Sequence, residues 1–147
     1  MLSHFLPSNF DSTKPVGLIA GRGSYPKLVA DRAKELGVPV RLIAFEDEAT
    51  DALFDSFPEE HRARINVGQL GKWLKALRKF DCQYSIAAGQ VKPGKLFHDL
   101  KPDFKTAALL VKLKRKNADT IFGAIAEELT QNGQTALDAR AFLDQDM

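Results

Sequence analysis

Val16-Gly17-Leu18-Ile19-Ala20-Gly21-Arg22-Gly23-Ser24-Tyr25-Pro26 reads as a buried strand, a glycine turn and the start of a helix. The apolar run has strand length. Gly21 and Gly23 permit backbone angles and close approaches that a side chain forbids. Pro26 suits the first helical turn, where its missing N–H costs nothing, and Ser24 before it is placed to cap. Such a turn leaves amide N–H groups at a helix N-terminus, a setting that attracts anions and phosphate above all.

Outward from this stretch the pattern repeats. Lys27 to Leu36 carries Leu28, Val29, Ala33 and Leu36 at helical spacing, and Gly37 ends it. Val40 to Phe45 is a second strand, which completes a β-loop-α-β unit and calls for a parallel pairing. Asp51 to Phe57 forms a short helix stopped by Pro58, and Ala63 to Val67 is a third strand. Trp73, Leu74, Ala76, Leu77 and Phe80 follow on a helix, with Trp73 expected in the core or at a domain interface. Tyr84 to Ala88 is a fourth strand. Helices are expected over Phe104 to Lys116, with Asp103 as cap, and over Thr120 to Leu129, capped by Asp119; Thr135 to Ala139 is a candidate fifth strand. Strands alternating with helices define the fold class: α/β, a Rossmann-like three-layer domain with a mainly parallel sheet of four to five strands. Residues 1–14, polar and broken by Pro7, read as an extended N-terminal arm; residues 15–147 read as one α/β domain.

In such sheets ligands collect at the carboxyl ends of the strands. Three loops leave those ends with glycine: Gly21-Arg22-Gly23-Ser24, Gly68-Gln69-Leu70-Gly71-Lys72, and Gly89-Gln90-Val91-Lys92. Taken together, Gly21, Arg22, Gly23, Ser24, Gly68, Gln69, Gly71, Lys72, Gly89, Gln90 and Lys92 are the candidate phosphate-binding residues. The alternative is that each loop is only a tight turn. A dinucleotide fingerprint is incomplete, because Pro26 holds the place of the third glycine and Glu46 is a weak ribose-binding candidate. NAD(P) binding therefore stays a lesser reading, beside that of a non-catalytic nucleotide-phosphate or interaction module.

Composition narrows the class further. The chain has 147 residues, 44% apolar and 27% charged, with net charge +2, which gives no whole-chain argument for nucleic acid. Charge is nevertheless segregated: Lys92 to Lys116 holds eight basic residues against two acids, and Ala44 to Glu60 holds seven acids and no Lys or Arg. The basic segment either faces solvent or meets an anionic ligand or surface. His4, His61 and His98 are dispersed, so no metal set and no catalytic residue is assigned. Asp99 and Asp103 could hold Mg²⁺ through water, but Asp103 after Pro102 reads better as a helix cap. Cys82 is the sole cysteine and reads as a small buried residue. No apolar stretch is long enough to span a bilayer and the N-terminus is unlike a signal peptide, so a cytoplasmic location is expected.

The ordered set formed by Gly17 to Pro26, Gly68 to Lys72, Ala88-Gly89-Gln90-Val91-Lys92-Pro93, Leu96-Phe97 and Leu100-Lys101-Pro102-Asp103 resembles the N-terminal domain of the LpxI-type UDP-2,3-diacylglucosamine pyrophosphatases. That resemblance implies a two-domain bacterial enzyme of lipid A biosynthesis. The family hydrolyses UDP-2,3-diacylglucosamine to lipid X and UMP with a divalent ion such as Mg²⁺. Its catalytic aspartate lies in the C-terminal domain, which the 147 residues do not include. The expected role is thus substrate binding, without hydrolysis by this part alone. The expected partners are the nucleotide-lipid or a related phosphate ligand, and the missing domain or a second copy of the chain. Peripheral membrane contact is left open.

Overall fold

The computed structural model describes residues 5–90, 102–113, 118–138 and 140–142. Five strands form one sheet, β1 (Val16–Ala20), β2 (Val40–Phe45), β3 (Arg62–Ile65), β4 (Tyr84–Ala88) and β5 (Thr135–Ala136), in the order β3-β2-β1-β4-β5. Every pairing is parallel. The helices are α1 (Tyr25–Glu35), α2 (Asp51–Asp55), α3 (Leu70–Lys79), α4 (Phe104–Lys112) and α5 (Ala118–Gln131), with a 3-10 turn at Glu59–His61. This is the three-layer α/β, Rossmann-like arrangement.

The pleat sorts the core into two halves, because successive strand residues point to opposite faces. Val16, Leu18 and Ala20 of β1, with Leu42, Ala44, Tyr84 and Ile86, pack under Val29 and Ala33 of α1 and Leu53 of α2. Ile19, Ile43 and Phe45 face the other way, onto Leu70, Trp73, Leu74 and Leu77 of α3, Leu109 of α4 and Leu129 of α5. Near-continuous burial along β1 fits a central strand covered on both faces. Trp73 is buried as expected and meets Phe45 edge-on, with ring centroids 5.6 Å apart.

Several boundaries differ from the sequence reading. α1 begins at Tyr25 and turns Pro26, Val29 and Ala33 inward, which leaves Leu28 43% exposed. β3 is Arg62–Ile65 and ends before Val67; α4 stops at Lys112. β5 is two residues long, paired to Tyr84 and Ser85 alone. Residues 5–14 carry turns, and Phe5, Leu6 and Phe10 pack against the core. Phe10 lies 4.6 Å from the Tyr84 ring, and the Asp11 amide donates to the Tyr84 hydroxyl at 2.8 Å.

Cys82 is buried, and desolvation pushes its thiol from 9.0 up to about 12, partly opposed by the nearby Arg41 charge. The fold therefore favours the neutral thiol. Its contribution to stability is complete below pH 9 and declines as pH rises towards about 12. Urea unfolding of the wild type and Cys82→Ala is expected to show a steeper alkaline loss in the wild type across that window.

Candidate functional site

In the order β3-β2-β1-β4-β5 the connections change direction between β1 and β4, and a crevice opens at the carboxyl ends of those two strands. The loops leaving them meet there. Gly21 N donates to Ala88 O at 2.9 Å, Arg22 N to Gln90 O at 2.7 Å, and Gln90 N back to Arg22 O at 3.0 Å. These bonds form an antiparallel bridge between two loops that leave parallel strands. The bridge depends on missing side chains. A Cβ on Gly21 would sit 2.5 Å from Gln90 O, and one on Gly89 would sit 2.7 Å from Arg22 O. Gly89 also holds φ +90, a conformation that L side chains disfavour.

Beside the bridge lies a recess of about 450 Å³, lined by Arg22, Gly23, Ser24 and Tyr25 from one loop and Ala87 to Gln90 from the other. Ser24 is the N-cap residue of α1, but its φ of −90° and ψ of −12° leave it without a side-chain cap bond. Among the described residues no hydrogen bond is made by the Gly23 and Ser24 amides. A helix N-terminus with open amides concentrates positive potential. Arg22 adds a cation. Its Nε donates to Glu48 Oε2 at 2.8 Å, and its Nη2 to Asp47 O at 3.1 Å. The Glu48 side chain is fully buried, whereas that of Arg22 is 42% exposed.

The second glycine loop sits elsewhere, and its helix terminus is already occupied. Leu70 N donates to Thr106 Oγ1 and Gly71 N to Asp103 Oδ2, both at 2.9 Å. Asp103 also caps α4, accepting from Thr106 N and Thr106 Oγ1 through Oδ1, while its own amide donates to Gly68 O. One carboxylate thus closes two helix N-termini, which fulfils the sequence expectation of a cap and adds a second. The Gln69 and Lys72 amides are used in turns, to Asn66 O and Gln69 O, and Lys72 is exposed. Gly71 lines a separate recess of about 270 Å³ with Arg78, Lys105 and Glu128.

The structure therefore brings Gly21, Arg22, Gly23, Ser24, Gly89 and Gln90 to one place and sets Gly68, Gln69, Gly71 and Lys72 at another. Lys92, Asp99, the Leu96-Phe97 pair and His4 and His98 lie outside the described residues, as does most of the basic segment before Pro102. Glu48 was not among the sequence candidates. Its only signal was a place in the acidic run after the second strand. A larger recess, about 790 Å³, lies at the amino ends of the strands between α1 and α2, among Val38, Val40, Leu53 and Phe57. The smaller one is the better candidate for an anion, because free amides and a guanidinium border it.

Fold and recess together define a Rossmann-like domain with a glycine-rich loop and an open helix N-terminus at its switch point. The chain belongs to the LpxI N-terminal domain family, whose model matches residues 15–145. It is 31% identical over 127 residues to the UDP-2,3-diacylglucosamine pyrophosphatase LpxI of Caulobacter vibrioides, an alignment that covers 82% of this chain and 42% of that protein. The chain thus spans less than half the length of that relative. Among the described residues no helix is long and apolar enough to cross a membrane.

Two substitutions test the local architecture by thermal or urea melts. Gly89→Ala is expected to cost at least about 2 kcal/mol, since strained backbone alone costs ~1–3 kcal/mol and the Arg22 carbonyl is in the way. Asp103→Ala removes a cap worth ~1 kcal/mol and strands a second amide donor worth ~1–3 kcal/mol, so a loss of about 2–4 kcal/mol is expected.

Proposed function

We propose that this domain binds the pyrophosphate-bearing head of a nucleotide-linked lipid, UDP-2,3-diacylglucosamine or a close relative. On this reading it serves a longer cytoplasmic protein that cleaves the ligand to lipid X and UMP in lipid A biosynthesis. The observation that carries the reading is the contrast between the two helix N-termini. At α1 the amides of Gly23 and Ser24 are open beside Arg22, whereas at α3 the amides are taken by Asp103 and Thr106.

The chemistry follows from the groups present. Main-chain N–H donors fixed at a helix terminus meet phosphoryl oxygens without reorganisation, and a guanidinium at the rim adds charge-assisted bonds. Gln90, held by the bridge, forms the opposite wall. Bond cleavage needs groups to activate water, and we assign no such role to residues of this chain. Binding without hydrolysis is the proposed behaviour of this part alone. Among the described residues no three His, Cys, Asp or Glu side chains gather into a metal set. We place the ligands of a divalent ion such as Mg²⁺ in the rest of the longer protein. That missing domain, or a second copy of the chain, is the proposed partner.

Calorimetric titration with UDP, UMP, inorganic pyrophosphate and NADH tests the reading. UDP and pyrophosphate are expected to bind and NADH not to. Gly23→Val, which forces the φ of +101 into strain and disrupts the open amides, is expected to weaken UDP binding about tenfold or more, on the scale of ~1.5–3 kcal/mol for a lost bond to a charged group. Lys72→Ala, away from the recess, is expected to leave affinity unchanged. Tighter binding of NADH than of UDP would favour a dinucleotide domain. Absence of binding by every anion would leave an interaction module.

A further inference from the structure

Glu48 is a carboxylate with unusual surroundings. It is 5% exposed overall and its side chain is wholly buried. Oε2 accepts from Arg22 Nε at 2.8 Å, and Oε1 has no hydrogen-bond partner among the described residues. A buried carboxylate is costly to maintain unless something compensates it. Among the described residues the compensation is the Arg22 guanidinium, and that cation belongs to the glycine loop. The turn between them is shaped for the same contact. Asp47 adopts a φ of +65, uncommon for a residue other than glycine, and its carbonyl accepts from Arg22 Nη2 at 3.1 Å. Glu48 N and Ala49 N both return to Phe45 O, which ties the turn to the carboxyl end of β2. Arg22 lines the recess, and Glu48 stands behind it.

We propose that Glu48 is a positioning residue for the anion site: through Arg22 Nε it fixes the guanidinium at the wall of the recess, so that the remaining N–H groups of the fork serve a ligand's phosphoryl oxygens. Arginine carries five donors in a rigid plane. Holding Nε on one side and Nη2 on the Asp47 carbonyl sets that plane, and a fixed plane loses less freedom on binding a planar or tetrahedral oxyanion. The inference rests on the anion-site reading above, and deepens it by naming a residue that would touch no ligand.

The sign of one substitution separates positioning from plain electrostatics. Removing a negative charge near an anion site strengthens anion binding when charge alone matters. Removing the anchor of Arg22 weakens it. The experiment is a double-mutant cycle of Arg22→Ala, Glu48→Gln and the pair, with pyrophosphate affinity read by calorimetry and folding by thermal melts. Glu48→Gln keeps the shape and size of the side chain, and the double variant leaves no buried unpaired charge, so both are suited to fold. Glu48→Gln is expected to weaken pyrophosphate binding threefold to tenfold, and to have no effect in the Arg22→Ala background. A gain in affinity, an unchanged affinity, or an equal loss in both backgrounds would each overturn the proposal. Failure of the wild type to bind pyrophosphate would overturn the anion-site reading beneath it, a distinct result.

Discussion

The constraint on which the upper surface of this domain depends is a pair of main-chain hydrogen bonds, Arg22 N to Gln90 O and Gln90 N to Arg22 O. Parallel strands normally part at a switch point, where the loops beyond them run to opposite faces of the sheet. Here they are stitched together two residues past the strand ends. The stitch sets the depth of the recess, fixes the entry of α1, and draws Ala87 to Gln90 alongside Gly23 and Ser24. It also explains why two glycines are needed on facing loops. Each of Gly21 and Gly89 would place a Cβ within 3 Å of the other loop's backbone.

Once that bridge exists, the environment of Arg22 follows. Its amide and carbonyl are committed to Gln90, so the side chain leaves the loop in a defined direction, towards the turn after β2. The acidic run Glu46-Asp47-Glu48 is then no longer a generic solvated patch. Glu46 and Asp47 are exposed, whereas Glu48 turns inward to the guanidinium. Loop, turn and helix terminus are linked through β1 and β2, the two strands with the most continuous burial.

Much of this architecture was legible in the sequence. Strands β2 and β4 occupy the residues their apolar runs marked, and the glycine turn after β1 lies where the spacing placed it. These features are local: burial on both faces requires an apolar run, and a left-handed or crowded backbone favours glycine. What the sequence concealed was non-local. The sole role visible for Glu48 was membership of a charged stretch, because its partner lies 26 residues earlier in the chain. Leu28 matched a helical period yet faces outward, since the helix begins at Tyr25 and Pro26 takes the inward place.

The two glycine loops after β1 and β3 show why composition alone does not identify a ligand site. Both present glycine at a helix N-terminus, and by sequence they are equivalent. At α3 the amides of Leu70 and Gly71 receive Thr106 and Asp103, residues 36 and 32 positions later. The chain returning after β4 uses them as its anchor, with Asp103 N on Gly68 O closing the contact. That helix terminus has become part of the packing of α4 on α3. At α1, among the described residues, no side chain takes the Gly23 and Ser24 amides, and the residue best placed to cap, Ser24, withholds its hydroxyl from them. An orphan donor inside a fold is expensive, but one at the rim of a recess is solvated and remains available. The domain thus satisfies one helix terminus with its own carboxylate and leaves the other open, at the place where the proposed ligand would put its phosphoryl oxygens.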